Sequence, residues 1–320
     1  MQGDECLIGV DVSKDELVIA TSAAPRARLT VKNAPQPIRR WLKTLPEGAV
    51  VAMESTGSYH QLLALLGHQA GLRVFVLNAK RVWHYAKGEG RRGKSDRVDA
   101  QVVLNYLHDH LPKLHPWCAG TPLQRHVEAL LRRRQTVERH LTAIRMSMGD
   151  VPGLSMQLKQ LEAVIDGLMQ AINVRVRLLL SLEPELERKQ ALLETITGIG
   201  PQCSAALTSI LSRIPFRNAD AVVAYAGIDP RANDSGLRRG RRHLSKEGPA
   251  YLRKQLWMSG FSASHSKLFG PLYQALLAKG FKTTEAIVIL SRKLLRIAWA
   301  VWRSDRPFDP ELRLAACQKL

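Results

Sequence analysis

The sequence predicts a mixed α/β domain, then a long helical region, then a mainly helical C-terminal domain. Three observations predict this. Short β-rich runs alternate with helical patterns over 1–118, two long helical periodicities fill 119–190, and helical stretches broken by glycine turns fill 191–320. A chain of 320 residues suits about two domains of ordinary size joined by such a region.

The first domain opens with CLIGVDV (6–12) and ELVIAT (16–21), joined by the polar turn SKD, which predicts a hairpin. ARLTV (27–31) is a candidate third strand, and IRRWLKTL (38–45) has helical spacing. AVVAME (49–54) is a continuous apolar run ending in Glu54, the pattern of a strand buried on both faces. HQLLALLGHQAG (60–71) reads as a helix closed by Gly71, and RVFVLNA (73–79) as another strand. A Gly- and Arg-rich loop, GEGRRGKSD (88–96), then precedes a helix starting near Asp96. Three strands followed by alternating helix and strand predict a mixed sheet with helices packed on it.

From Pro122 to about Arg188 run two long helical patterns, broken at Pro152-Gly153. In the second, Leu154, Leu158, Leu161, Ile165, Leu168 and Ile172 recur at alternating spacings of four and three, a coiled-coil seam. Val127, Leu130, Val137, Leu141, Ile144 and Met148 do nearly the same in the first, with Arg134 at a position due an apolar residue. An intramolecular hairpin and a dimer contact both satisfy this pattern. In the last part the turn GIGP separates two helical stretches. It reads either as a tight turn or as a source of backbone N–H groups for a phosphate. FRNADAVVAYAG, PAYLRKQLWMSGFSAS and TTEAIVILSRKLLRIAWAVWRSD read as helices, the last with Arg292, Lys293 and Arg296 on its polar face.

The charge narrows the function. Against 28 acidic residues stand 47 Lys and Arg, a net +19, which points to a polyanionic partner, nucleic acid first. A membrane partner is disfavoured, since no apolar run reaches the roughly 18 residues of a spanning helix. The N-terminus MQGDECLIGVDVSKDE lacks the apolar stretch of a signal peptide. Cys6, Cys118, Cys203 and Cys317 lack the paired spacing of a metal or redox motif and read as reduced thiols of a cytoplasmic protein.

Four acids stand out. Asp11 lies near the end of the first strand and Glu54 ends the buried run, while Asp96 and Asp99 share one helix face at i and i+3. If the strands carrying Asp11 and Glu54 are neighbours, all four can meet. Like charges ~4 Å apart repel by about 4 kcal/mol at a surface-like dielectric, and divalent cations with oxygen ligands relieve that. Each acid also has a structural reading: Asp11 at the turn near Ser13, Asp96 as a helix cap. Arg91, Arg92 and Lys94 flank the acids and would hold a phosphate backbone beside them. A second cluster lies in DPRANDSGLRRGRRHLSKEG, where Ser235 precedes Arg238, Arg239, Arg241, Arg242 and Lys246, with Arg253 in the following helix. A solvated basic loop and a reactive serine facing phosphates both fit it.

IGVDVSK with Asp11, AMESTGSY with Glu54 and KSDRVDA with Asp96 and Asp99 resemble the DEDD transposases of bacterial insertion sequences, as do ITGIGPQCSAAL, AYAGIDP and SGLRRGRRHLSKEGPAYLRKQL. The likeness covers nearly the whole chain. It implies a RuvC-like N-terminal domain of ribonuclease-H-like fold, joined through a coiled coil to a serine-bearing transposase domain. It implies further a recombinase guided by a structured bridge RNA that pairs with donor and target DNA. The acidic tetrad would bind Mg²⁺, and Ser235 would attack the DNA phosphate to give a covalent intermediate. Acids of one protomer would meet the serine of another in a dimer or tetramer. The chemistry is coherent: a serine hydroxyl is a poor nucleophile without activation, no histidine adjoins Ser235, and metal ions supply what a missing base does not. His243 reads as a phosphate contact, and Ser245 as a decoy that could cap the following helix. Two other readings are a RuvC-type metal-dependent junction resolvase that uses water, and a non-catalytic nucleic-acid-binding protein.

Overall fold

The computed structural model describes residues 5–24, 28–55, 57–89, 96–231, 240 and 242–311, with backbone placement alone for Arg28 and for 96–99. The chain divides into two compact units, Met1–Ala119 and Gly120–Leu320.

In the first unit, strands β1 (Leu7–Val12), β2 (Glu16–Thr21), β3 (Arg28–Lys32), β4 (Val50–Glu54) and β5 (Arg73–Leu77) form one sheet in the order β3-β2-β1-β4-β5. β2 runs antiparallel to β1, as the SKD turn predicted, and also to β3, while β1, β4 and β5 are parallel. Ser13 closes that turn, its Oγ accepting from the Glu16 amide at 3.0 Å and donating to the Glu16 carbonyl at 2.8 Å. The sheet order, with its antiparallel second strand, is that of the ribonuclease-H-like, RuvC-like class implied by the family resemblance.

Strand alternation sends Ile8, Val10 and Val12 to one face of β1, where they are buried together with Ile38 and Trp41 of α1 (Pro35–Leu42) and Leu63 of α2 (His60–Gln69). Leu7, Val50, Ala52 and Phe75 line the other face, with Val82 of α3 (Ala79–Gly88) and Ala100, Val103 and Leu107 of α4 (Asp96–His110). Gly9 is what lets α4 come so close. A Cβ there would overlap the Ala100 carbonyl oxygen and the Leu104 nitrogen. Helix α3 was not read from the sequence. It starts at Asn78, whose Oδ1 accepts from the amides of Lys80 and Arg81.

Among the described residues, the second unit is helical apart from one short ladder. Helices α5 (Pro122–Met148) and α6 (Ser155–Leu180) pack on each other as a hairpin within the unit. Arg134 now has a reason: it is nearly buried, and its guanidinium donates to Asn173 Oδ1 of α6 at 2.9 Å and to Glu138 at 3.3 Å. The seam expected on α6 splits into two lines. Leu158, Ile165 and Ile172 are partly buried, whereas Leu154, Leu161 and Leu168 are 41, 40 and 51% exposed. Residues seven apart return to one face, so the two lines belong to different faces. The helix expected to run to Arg188 ends at Leu180, and α7 (Pro184–Glu194) begins at a proline that cannot donate to a preceding turn.

The core of this unit holds α8 (Pro201–Arg213), buried from Cys203 through Leu211, and the apolar side of α12 (Thr283–Ser304). Burial raises the Cys203 thiol to about 11. α9 (Ala219–Ala226), α10 (Ala250–Ser264) and α11 (Gly270–Ala278) complete the packing. Gly260 sits where α10 crosses α12: a Cβ there would lie 2.7 Å from the Ile287 carbonyl oxygen. Among the described residues, no helix is long and apolar enough to cross a membrane, and Cys6, Cys118 and Cys203 form no disulfide.

Candidate active site

The register of the parallel strands juxtaposes the first two acids. Leu7 pairs with Val50 and Val10 with Met53; one step on lie Asp11, next to last in β1, and Glu54, last in β4. Parallel neighbours lie about 4.8 Å apart. Both residues share the parity of Leu7, Gly9, Val50 and Ala52, so both point to the face that α4 covers. Both are half-buried. Asp96 and Asp99 lie in the first turn of α4. Their side chains are outside the described residues, as are Arg91, Arg92 and Lys94. Three elements in mutual contact, β1, β4 and α4, thus carry the four acidic positions. Among the described residues no set of three metal-ligating side chains is formed. The Asp11–Glu54 pair supplies hard carboxylate oxygens of the kind a divalent cation takes.

In the second unit, the serine-bearing segment springs from the two-residue ladder of β6 (Pro230–Arg231) and β7 (His243–Leu244). Ser235, Arg238, Arg239 and Arg241 lie outside the described residues. The base of the segment is well defined. Ser245 is buried, its Oγ donates to Asp229 Oδ1, and its amide donates to the Asp229 carbonyl at 3.1 Å. Arg231 bridges Asp229 Oδ2 and Glu247 Oε2, at 3.2 Å each. The Lys246 amide donates to the Gly227 carbonyl at 3.0 Å, with Gly227 at φ 69 and Lys246 at φ 54, both left-handed. Gly248 passes so close to α9 that a Cβ would overlap the Tyr225 carbonyl oxygen.

Ser245 therefore latches this base to Asp229 and does not cap a helix; Pro249 precedes α10 without any side-chain cap. Arg242 and Lys246 are exposed. Arg253 is partly buried and donates to the Gly248 carbonyl; burial lowers its pKa.

Behind the latch lies a polar node that sequence reasoning missed. Glu128 of α5 accepts from Arg132 at 2.6 Å and lies 3.7 Å from Arg213 of α8. Arg213 donates to the Tyr225 hydroxyl at 3.2 Å, and the Tyr251 hydroxyl reaches Glu128 at 3.5 Å. Burial pushes both phenols above their ordinary value, Tyr251 the further. The node ties α9 and α10, which flank the serine-bearing segment, to the hairpin. No periodicity or local spacing announces it, since its members lie up to 123 residues apart.

Comparison with known proteins decides the family. Residues 8–148, which include all four acids, match the model of the DEDD-type IS110 transposase domain, described as a transposase. Residues 190–274, which include Ser235, match the model described as the transposase IS116/IS110/IS902 family. This chain belongs to the IS110/IS116 transposase family. It is thus an enzyme of phosphoryl transfer on DNA, and the non-catalytic reading is set aside.

Curated relatives include the pilin gene-inverting protein of Moraxella bovis, 29% identical over 269 residues, covering 81% of this chain and 82% of the relative. Its namesake from Moraxella lacunata is 28% identical over the same length. An insertion element IS116 protein of Streptomyces clavuligerus is 29% identical over 124 residues, 37% of this chain and 30% of that one. Among solved structures, T. thermophilus RuvC in complex with a Holliday junction substrate is similar at 14% identity and a TM-score of 0.28, covering 35% of this chain and 99% of that one.

Proposed function

We propose that this chain recombines DNA by joining two chemistries, a divalent-metal site on Asp11, Glu54, Asp96 and Asp99 and a nucleophile at Ser235. The observation that carries the reading is the parallel register that sets Asp11, next to last in β1, one step beyond the Val10–Met53 pair beside Glu54, last in β4, on the face covered by the helix that bears the other two acids. Those residues would hold Mg²⁺, which when bound stabilises charge on the attacking and leaving oxygens of a phosphoryl displacement. Ser235 Oγ forms the new bond to phosphorus and gives up its proton. One bridging sugar oxygen leaves phosphorus and takes a proton. The phosphodiester energy is kept in a seryl ester, which a DNA hydroxyl reverses to rejoin strands. Arg238, Arg239, Arg241, Arg242 and Lys246 neutralise the scissile phosphate and its neighbours, while Arg91, Arg92 and Lys94 grip the backbone beside the acids.

The relatives named as pilin gene-inverting support DNA inversion as one outcome of this strand exchange; movement of an insertion element is the other. Guidance by a bridge RNA rests on the family resemblance. Its test is purified, nuclease-treated protein, which should regain activity only with element-derived RNA.

The same reading makes the active unit a homo-oligomer, dimer or tetramer. Support comes from α6, where Leu161, Val164, Leu168 and Leu178 are 40, 72, 51 and 54% exposed on two adjacent heptad lines, 161/168 and 164/178, that share one helix face. The double substitution Leu161→Glu with Leu168→Glu should lower the sedimenting mass to that of a monomer. An unchanged mass would exclude this face as the contact.

One substitution separates the transposase from the resolvase reading, and a second tests the metal site that both share. Asp11→Ala should stop strand cleavage altogether. Ser235→Ala should abolish both recombination and the covalent DNA adduct. Retention of strand cleavage with Ser235→Ala would favour a water-using nuclease.

A further inference from the structure

Helix α3 carries a surface that neither the acids nor the serine explains. Its residues Lys80, Trp83, His84 and Lys87 stand at i, i+3, i+4 and i+7, one continuous stripe of the helix. All four are exposed, Trp83 by 52%. A half-exposed tryptophan is the least economical residue for a solvated helix face, because its ring leaves a large apolar area in water. The opposite side of the helix accounts for the fold by itself: Val82 is buried and Tyr85 donates to Asp109 Oδ2 at 2.5 Å. The stripe is thus free of any packing duty.

Its charge is one-sided. The helix contains no acidic residue, and among the described residues neither Lys80 nor Lys87 forms an ion pair. Lys87 Nζ sits 3.8 Å from the Trp83 ring centroid, and His84 meets the same ring edge-on at 4.8 Å. The two lysines are seven residues apart, ~10 Å along the axis, with Lys87 over one face of the ring and the other face left for a base. An aromatic face flanked by cations is the chemistry that stacks a nucleobase and holds the phosphates on either side.

The location is equally specific. α3 follows β5 after one residue, and Leu77, the last residue of β5, pairs in register with Glu54. α3 also packs against α4, which opens with Asp96. The stripe therefore belongs to an element joined to both acid-bearing elements within one unit.

We infer that the Lys80–Trp83–His84–Lys87 stripe is a stacking platform for an unpaired base of single-stranded DNA next to the acidic site. It rests on the reading of the first unit as the DNA-processing unit, and it selects single strands over duplex, because a paired base offers no free face to the indole.

The test uses the full chain carrying Ser235→Ala, so that binding is read without the chemistry proposed for that serine. The probe is a single-stranded DNA oligonucleotide containing 2-aminopurine. Stacking on Trp83 should quench its fluorescence. Trp83→Ala should abolish the quenching and weaken binding about tenfold, while Trp83→Phe keeps most of both. A blunt duplex of the same sequence should lose less than about twofold. Lys80→Gln and Lys87→Gln should each flatten the salt dependence by about 0.7 in the log–log slope.

The platform is overturned if Trp83→Ala leaves single-strand affinity and quenching unchanged, or if its effect appears only with an RNA oligonucleotide of the same sequence. A failure of the serine reading leaves this binding result standing. Conversely, unchanged quenching in Trp83→Ala, with the covalent adduct still formed by the chain that keeps Ser235, would sink the inference and spare the reaction.

Discussion

The two units hold their proposed reactive groups by different means. In the first, Asp11 and Glu54 sit on strands whose backbones are locked in register to neighbours on both sides. In the second, the serine-bearing segment leaves a ladder of only two residues per strand, and side chains fix its base: Ser245 to Asp229, and Arg231 to Asp229 and Glu247. The difference matches the two tasks. Carboxylates that share a cation must stay close despite mutual repulsion, and backbone ladders impose that proximity at no cost in side-chain order. A nucleophile has to reach a phosphate on a large substrate, and a well-fixed base at the ends of a loop suits that task.

Breaking the first unit should therefore take a backbone clash, whereas breaking the second takes the loss of one side chain. The larger effect is expected at Gly9. Gly9→Ala forces a Cβ into the Ala100 and Leu104 backbone, so α4 must move away from β1. Overpacking of this kind costs about 3 kcal/mol. It should lower the melting temperature of the first unit by about 10 °C in calorimetry and remove metal-dependent cleavage with it. Wild-type melting of Gly9→Ala would show that α4 does not depend on this close approach.

A smaller effect is expected at Asp229. Asp229→Ala leaves the buried Ser245 hydroxyl without its acceptor, at a cost of about 1–3 kcal/mol. Adduct formation should slow about tenfold with DNA affinity unchanged, and Asp229→Asn, which keeps an acceptor oxygen, should restore most of the rate. Equal losses in rate and affinity for both variants would assign Asp229 to general stability.

The contrast also explains what the sequence made legible. The β1–β2 hairpin, the buried run of β4 and the helix opening at Asp96 were readable because ladders and buried faces impose periods of two and 3.6 on the residues themselves. Asp11 and Glu54 were readable as strand-end acids for the same reason. The Asp229–Ser245 latch was not, since a hydrogen bond across 16 residues leaves no periodic trace. Helix α3 went unread because Val82 alone is fully buried and its outer stripe is basic and aromatic. On α6 the apolar period was visible, but both lines of leucines carry it, and only packing reveals which line faces α5. Arg134 broke the seam of α5 for a reason that lies on α6, at Asn173.

The central claim is that acids of the first unit and a hydroxyl of the second act on one phosphate. The most direct measurement is to trap the reaction on labelled DNA with Mg²⁺, denature, digest, and identify the DNA-bearing peptide by mass spectrometry. The account predicts a single phosphoester on Ser235, absent without divalent metal and absent in Asp11→Ala. A DNA adduct on any other residue, or efficient strand exchange with no adduct at all, would contradict it.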